Sequence, residues 1–129
     1  MAHPAETHAP SPEPSLRPTR PIRLYRHALS GHCHRVELML HLLDLPYETI
    51  DIDLMTGEQK QPAFLALNPF GQVPVIDDDG QVIADSNAIL VYLASRYDAH
   101  GTWLPRAPLT AAAVQRWLSV AAGDLAFGP

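Results

Sequence analysis

A chain of 129 residues and 14.2 kDa, 47% hydrophobic and 18% charged, is long enough to bury one globular core and has the balance of a folded domain. Its formal net charge of -5, with nine scattered Lys and Arg residues, excludes a basic nucleic-acid surface, and no apolar run approaches the ~20 residues of a membrane-spanning helix. A single cysteine, Cys33, excludes an intramolecular disulfide framework and suits a reducing compartment, so a cytoplasmic protein is expected.

Six prolines among the first 21 residues, without an apolar segment, rule out a secretory signal and predict a disordered, polyproline-like tail over residues 1–20. Ile22 to Tyr25 reads as a first strand, and Gly31 marks the turn into a helix. On that helix Val36, Met39, Leu40 and Leu43 follow the 3.6-residue period, with Leu38, Leu42 and Leu45 expected to widen the apolar stripe before Pro46 stops it. Glu48 to Leu54, where apolar residues alternate with Asp51 and Asp53, reads as a half-buried strand. A short helical segment near Ala63 to Leu67 follows, ended by Asn68-Pro69.

Val73 to Ile76 and Val82 to Ala84 then form a hairpin around Asp77-Asp78-Asp79-Gly80, whose Asp and Gly residues tolerate positive φ. Pro74 cannot donate to a ladder and so belongs at an edge, a strand start or a turn. It is an ordinary trans proline or it is seated by a cis Val73–Pro74 bond, and the cis form turns the Val73 N–H and C=O outward to pair with an extended ligand. Asp85-Ser86 precedes a further amphipathic helix, through Tyr97. Either residue is a good N-cap, worth ~1 kcal/mol. The same helix start, with its free N–H groups and positive dipole end, suits a ligand carboxylate, and Asp85 suits a ligand ammonium. The order is strand, helix, strand, short helix, strand, strand, helix. This is an α/β fold of βαβ-ββα type with a mixed four-stranded sheet. Residues 103–129 read as a linker at Trp103-Leu104-Pro105 and one further helix from Thr110, whose apolar face with Trp117 is too large to stay uncovered alone.

The first turn, Tyr25-Arg26-His27-Ala28-Leu29-Ser30-Gly31-His32-Cys33, holds two reactive candidates. Ser30, just before the helix, is either an N-cap or a donor that stabilises a ligand thiolate. Cys33 is either a reactive thiol or an inert buried one. His27, His32, His34 and His41 crowd the same region, and His34, Glu37 and His41 can share a helix face. Their spacing matches no metal-ligand signature, and a solvated polar face is the expectation, with no metal.

Together LYRHALSGHCHRV, NPFGQVPV and ADSNAILVYLA, in this order and spacing, resemble the thioredoxin-like N-terminal domain of a cytosolic glutathione S-transferase, over about Pro21 to Tyr97 and with domain limits of 21–102. The resemblance is to the theta-like, serine-type enzymes. It implies Ser30 as the catalytic hydroxyl beside the glutathione thiolate, and Val73 with cis Pro74 pairing the cysteinyl backbone. It further implies Asp85 and Ser86 at the γ-glutamyl end, with Gln59, Lys60 and Gln72 as further glutathione contacts. The implied partners are glutathione as co-substrate and an electrophilic small molecule, in a homodimer when full length, with neither nucleic acid nor membrane. The resemblance also implies that residues 103–129 open an all-helical second domain cut short here. Two alternatives stand beside the transferase: a non-catalytic glutathione-binding or protein-interaction module, and a thiol transferase using Cys33.

Overall fold

The structure, a computed structural model, describes residues 17–98 and 101–121. Its elements are β1 (Ile22–Arg26), α1 (Gly31–Leu42), β2 (Tyr47–Asp51), a 3-10 turn (Glu58–Lys60), α2 (Pro62–Leu65), β3 (Val75–Asp78), β4 (Gln81–Ala84), α3 (Ser86–Tyr97) and α4 (Pro108–Val120). The sheet runs β2-β1-β3-β4. β1 pairs in parallel with β2, from Ile22↔Tyr47 to Arg26↔Asp51, and antiparallel with β3 through Arg23↔Asp77, Leu24↔Ile76 and Tyr25↔Val75. β3 and β4 form the antiparallel hairpin. The expected βαβ-ββα order and mixed four-stranded sheet are the observed thioredoxin-like fold.

Strand alternation sends side chains to two cores. On one face Ile22, Leu24 and Ile76 meet Val36 and Leu40 of α1 and Ile89 and Leu93 of α3, all fully buried. Each such side chain contributes ~1.5–3 kcal/mol on leaving water. On the other face Val75 packs with Ile52 and Phe64, and Tyr25 meets Phe64 edge-on at 6.2 Å between ring centroids. α1 and α3 therefore lie together on one side, and the α2 segment lies on the other.

Several local expectations shift. Leu38 and Leu42 stay exposed because α1 touches the sheet along one narrow stripe, Cys33, Val36 and Leu40. The third strand begins at Val75, not Val73, since the cis Val73–Pro74 peptide lies outside the ladder. The short helix is a single turn from Pro62, preceded by a 3-10 turn that periodicity gave no sign of. The second strand stops at Asp51, and α4 starts at Pro108, a residue pre-set for the first helical position. The hairpin loop is only Asp79-Gly80, both at positive φ (52° and 92°), while Asp77 and Asp78 belong to β3.

Asp78 is thus a buried strand residue, 4% exposed, and one of its oxygens accepts 2.6 Å hydrogen bonds from both Tyr92 and Tyr97 of α3. Burial, then the bond to Asp78, pushes both phenols up, Tyr97 to about 12. Of the expected N-terminal tail, residues 1–16 lie outside the described residues. Arg17 donates to the Asp44 carbonyl, and Arg20 lies 3.2 Å from Asp79. Among the described residues no helix is long and apolar enough to cross a membrane.

Candidate functional site

Three helix and loop starts meet at one end of the sheet, where β1 and β4 finish and β3 begins. The first is the β1–α1 turn. Ser30 caps α1 in extended conformation (φ −81°, ψ 124°), its Oγ accepting from the Cys33 N–H at 3.3 Å and its carbonyl from the His34 N–H at 3.0 Å. A hydroxyl that accepts here keeps its own proton to donate. Cys33, by contrast, is 1% exposed inside the core.

The second is the loop before β3. Asn68 is buried and ties it internally, Nδ2 donating to the Gln72 carbonyl at 2.9 Å while Oδ1 accepts from the Phe70 N–H at 3.1 Å. Gly71 (φ +64°) packs so tightly on the 3-10 turn that a Cβ there would lie 2.8 Å from the Gln59 carbonyl oxygen. Among the described residues neither the N–H nor the C=O of Val73 enters a backbone hydrogen bond.

The third is the start of α3. Asp85 sits at φ 76° and ψ 121°, a region that side chains with a Cβ rarely occupy, and its Oδ2 accepts from the Ala88 N–H at 3.0 Å. That leaves the Ser86 and Asn87 amides without a backbone partner among the described residues. Ser86 itself is 6% exposed.

These segments wall one cleft of about 850 Å³, whose lining includes Ser30, Gln59, Gln72, Val73, Pro74, Asp85 and Ser86. Seven of the eight residues singled out from the sequence therefore share a single concavity. Lys60 is the exception: its Nζ donates to the Phe70 carbonyl at 3.0 Å, bracing the loop from outside the lining. Gln59 also carries a buried Oε1 with no hydrogen-bond partner among the described residues. A smaller hollow of about 290 Å³ beside His27, Asp51 and Asp53 holds none of these groups.

Arg35, Asn87 and His32 were missed as site residues. Arg35 Nη2 lies 2.7 Å from Ser86 Oγ and 2.9 Å from His32 Nδ1, and Nη1 lies 3.0 Å from Asn87 Oδ1. Asn87 Nδ2 in turn donates to the Leu118 carbonyl of α4 at 3.0 Å. The available signal was spacing, because His32 and Arg35 are three apart on α1 and so share a face. As for metals, among the described residues no group of three or more His, Cys, Asp and Glu is placed to hold an ion. Glu37 and His41 are instead joined through Tyr47, whose hydroxyl lies 3.2 Å from Glu37 Oε1 and 2.9 Å from His41 Nε2, while Arg26 takes the other Glu37 oxygen at 2.8 Å.

Comparison with known proteins identifies the family. Residues 29–96 match the family model described as the glutathione S-transferase N-terminal domain. Glutathione S-transferase 3 of Zea mays is 45% identical over 100 residues, which are 78% of this chain and 45% of that protein. A solved glutathione transferase of Bombyx mori superposes with a TM-score of 0.81 at 30% identity, covering 84% of this chain and 50% of that one. A glutathione transferase homologue from Drosophila mojavensis, solved with bound glutathione, gives a TM-score of 0.77 at 33% identity over 80% of this chain and 47% of that one. The chain spans about half the length of the proteins it matches. With the matched segment running from the β1–α1 turn to the end of α3, and so enclosing the whole cleft, the chain belongs to the glutathione S-transferase family through its N-terminal domain.

Proposed function

We propose that the cleft binds glutathione and raises its thiol to a thiolate for attack on an electrophilic carbon. The observation that carries the reading is the meeting, around one cavity, of a capped serine hydroxyl, an unpaired backbone edge and an acid-serine helix start. Each suits a different part of the tripeptide. Asp85 takes the γ-glutamyl ammonium, and Ser86 with the free amides of α3 takes its carboxylate. The Val73 backbone pairs the cysteinyl unit as an added strand would. Gln59 and Gln72 contact the glycyl half, while Lys60 supports that wall by holding the Phe70 carbonyl.

The cysteinyl sulfur then lies by Ser30, in the serine-type manner. A free thiol of pKa ~8.5 is only a few per cent ionised near neutral pH, and lowering it by ~2 units takes ~2.7 kcal/mol of differential stabilisation. One charge-assisted bond from Ser30 with the dipole of α1 supplies that order of energy. The electrophile docks on the side of the cleft towards α4, the opening helix of a helical second domain, in a homodimeric cytoplasmic enzyme.

Calorimetric titration of glutathione, with the Asp85→Ala, Ser86→Ala double variant as control, tests binding, and ultraviolet thiolate absorbance of the complex tests activation. Binding lost in the control, with a thiolate signal that Ser30→Ala removes and Cys33→Ser keeps, is the expected result. Binding without thiolate would leave a glutathione-binding module in place of a transferase. A signal dependent on Cys33 would refute the serine role, against the burial of that thiol.

A further inference from the structure

Resting on the glutathione reading, a step beyond it concerns Arg35, which has no place in the assignment so far. Its guanidinium is half-buried and faces three partners, none of them a carboxylate: Ser86 Oγ at 2.7 Å, His32 Nδ1 at 2.9 Å and Asn87 Oδ1 at 3.0 Å. Among the described residues it makes no ion pair, although four other arginines of the sheet and its flanks lie within 4 Å of a carboxylate. A cation drawn partly out of water without a counter-ion is costly unless an anion completes the site. The Asp85 carboxylate does not serve, being turned to the Ala88 N–H.

An arginine only donates, so its three neighbours must all accept. That fixes their states. His32 is held with its proton on Nε2. Asn87 is oriented with its Nδ2 towards the Leu118 carbonyl. Ser86 Oγ gives a lone pair to Arg35, and the nearest alternative acceptor for its hydroxyl proton, His32 Nδ1 at 3.5 Å, is already occupied by Arg35. The proton is therefore free for the cleft, beside the unpartnered amides of Ser86 and Asn87, and a hydroxyl polarised by a guanidinium is the stronger donor.

We propose that Arg35 is the positioning residue for the γ-glutamyl carboxylate: without touching the ligand, it aims the Ser86 proton into the cleft and supplies through Ser86 the positive charge that the carboxylate completes. The interaction is specific to one carboxylate, which makes it separable from any general support of the fold.

The test uses the full chain, the variants Arg35→Met and Arg35→Lys, and two ligands measured by calorimetry. One is glutathione. The other is 4-aminobutyryl-cysteinylglycine, which is glutathione without its γ-glutamyl carboxylate. In the wild type, loss of that carboxylate is expected to weaken binding about tenfold or more, as for a hydrogen bond to a charged group. In Arg35→Met the two ligands converge, because glutathione weakens and the analogue does not. Arg35→Lys, which keeps the charge but not the three-way fork, falls between. Circular dichroism confirms folding, and if the methionine variant does not fold the lysine variant carries the same comparison. Equal weakening of both ligands, or no weakening, overturns the role. A wild type that binds both ligands equally also overturns it while leaving the glutathione reading standing. A wild type that binds neither refutes that reading and this role together.

Discussion

On the proposed glutathione reading Asp85 sets function against stability, and the two can be measured apart. Its backbone lies at φ 76° and ψ 121°, where a Cβ costs ~1–3 kcal/mol, and its carboxylate offsets part of that by capping Ala88 at 3.0 Å. Asp85→Ala keeps the Cβ and loses the cap, so it is expected to destabilise by ~1–2 kcal/mol. Asp85→Gly also loses the cap, but glycine is nearly as good as an N-cap and relieves the strain. Against this stands the greater freedom of glycine in the unfolded chain, ~0.5–1 kcal/mol. The glycine variant should therefore be about as stable as the parent or up to ~1 kcal/mol more stable. Glutathione affinity should nevertheless fall about tenfold in both variants, because neither carries a partner for the ligand ammonium. Urea unfolding followed by circular dichroism gives the first quantity and calorimetry the second. If Asp85→Gly is destabilised as much as Asp85→Ala, the backbone is not strained and the trade-off is refuted. If it is neutral in stability and also binds normally, the carboxylate has no part in recognition.

Gly71→Ala should destabilise by ~1–3 kcal/mol, since the residue sits at φ +64° and a Cβ would meet the Gln59 carbonyl oxygen at 2.8 Å; unchanged urea unfolding would refute this close packing. Tyr92 and Tyr97 are neutral when protonated and their phenols are raised, Tyr97 to about 12, above an unfolded value near ~10. The stability they confer is complete below the unfolded value and is lost as pH climbs from there through the folded one. Alkaline titration of stability should show this decline, and a Tyr92→Phe, Tyr97→Phe variant should flatten it; a variant declining as steeply as the parent would refute the linkage.

The parts of the fold legible in the sequence are those governed by local chemistry. The period of α1, the Asp-Gly hairpin, the caps at Ser30 and Asp85 and the oddly seated Pro74 each depend on a few neighbouring residues, and each lies near where it was expected. Asp78 is different. Between two aspartates and a glycine it looks like a turn residue, yet two tyrosines 14 and 19 positions later make its burial tolerable. Leu38 and Leu42 look like core residues, yet a helix lying on a sheet buries only one narrow stripe. Arg35 meets Ser86 and Asn87 across 51 and 52 positions, so no local pattern could mark it. The spare acceptor on Gln59 arises from a 3-10 turn whose sequence carries no periodic signal.

β1 joins β3 through only three residue pairs, and this seam separates the segment bearing Ser30 from the segment bearing Asp85 and Ser86. On the proposed reading, a tripeptide held at both ends of the cleft would span that seam as a crossbrace, beside the bonds from Arg35 to Ser86 and Asn87. Occupancy then resists separation of the two halves and slows the opening that a protease needs. At a ligand concentration of ~100 times Kd the gain in stability is ~2.7 kcal/mol. If the proposed binding holds, ligand supply in a cell would bear on how long this chain survives.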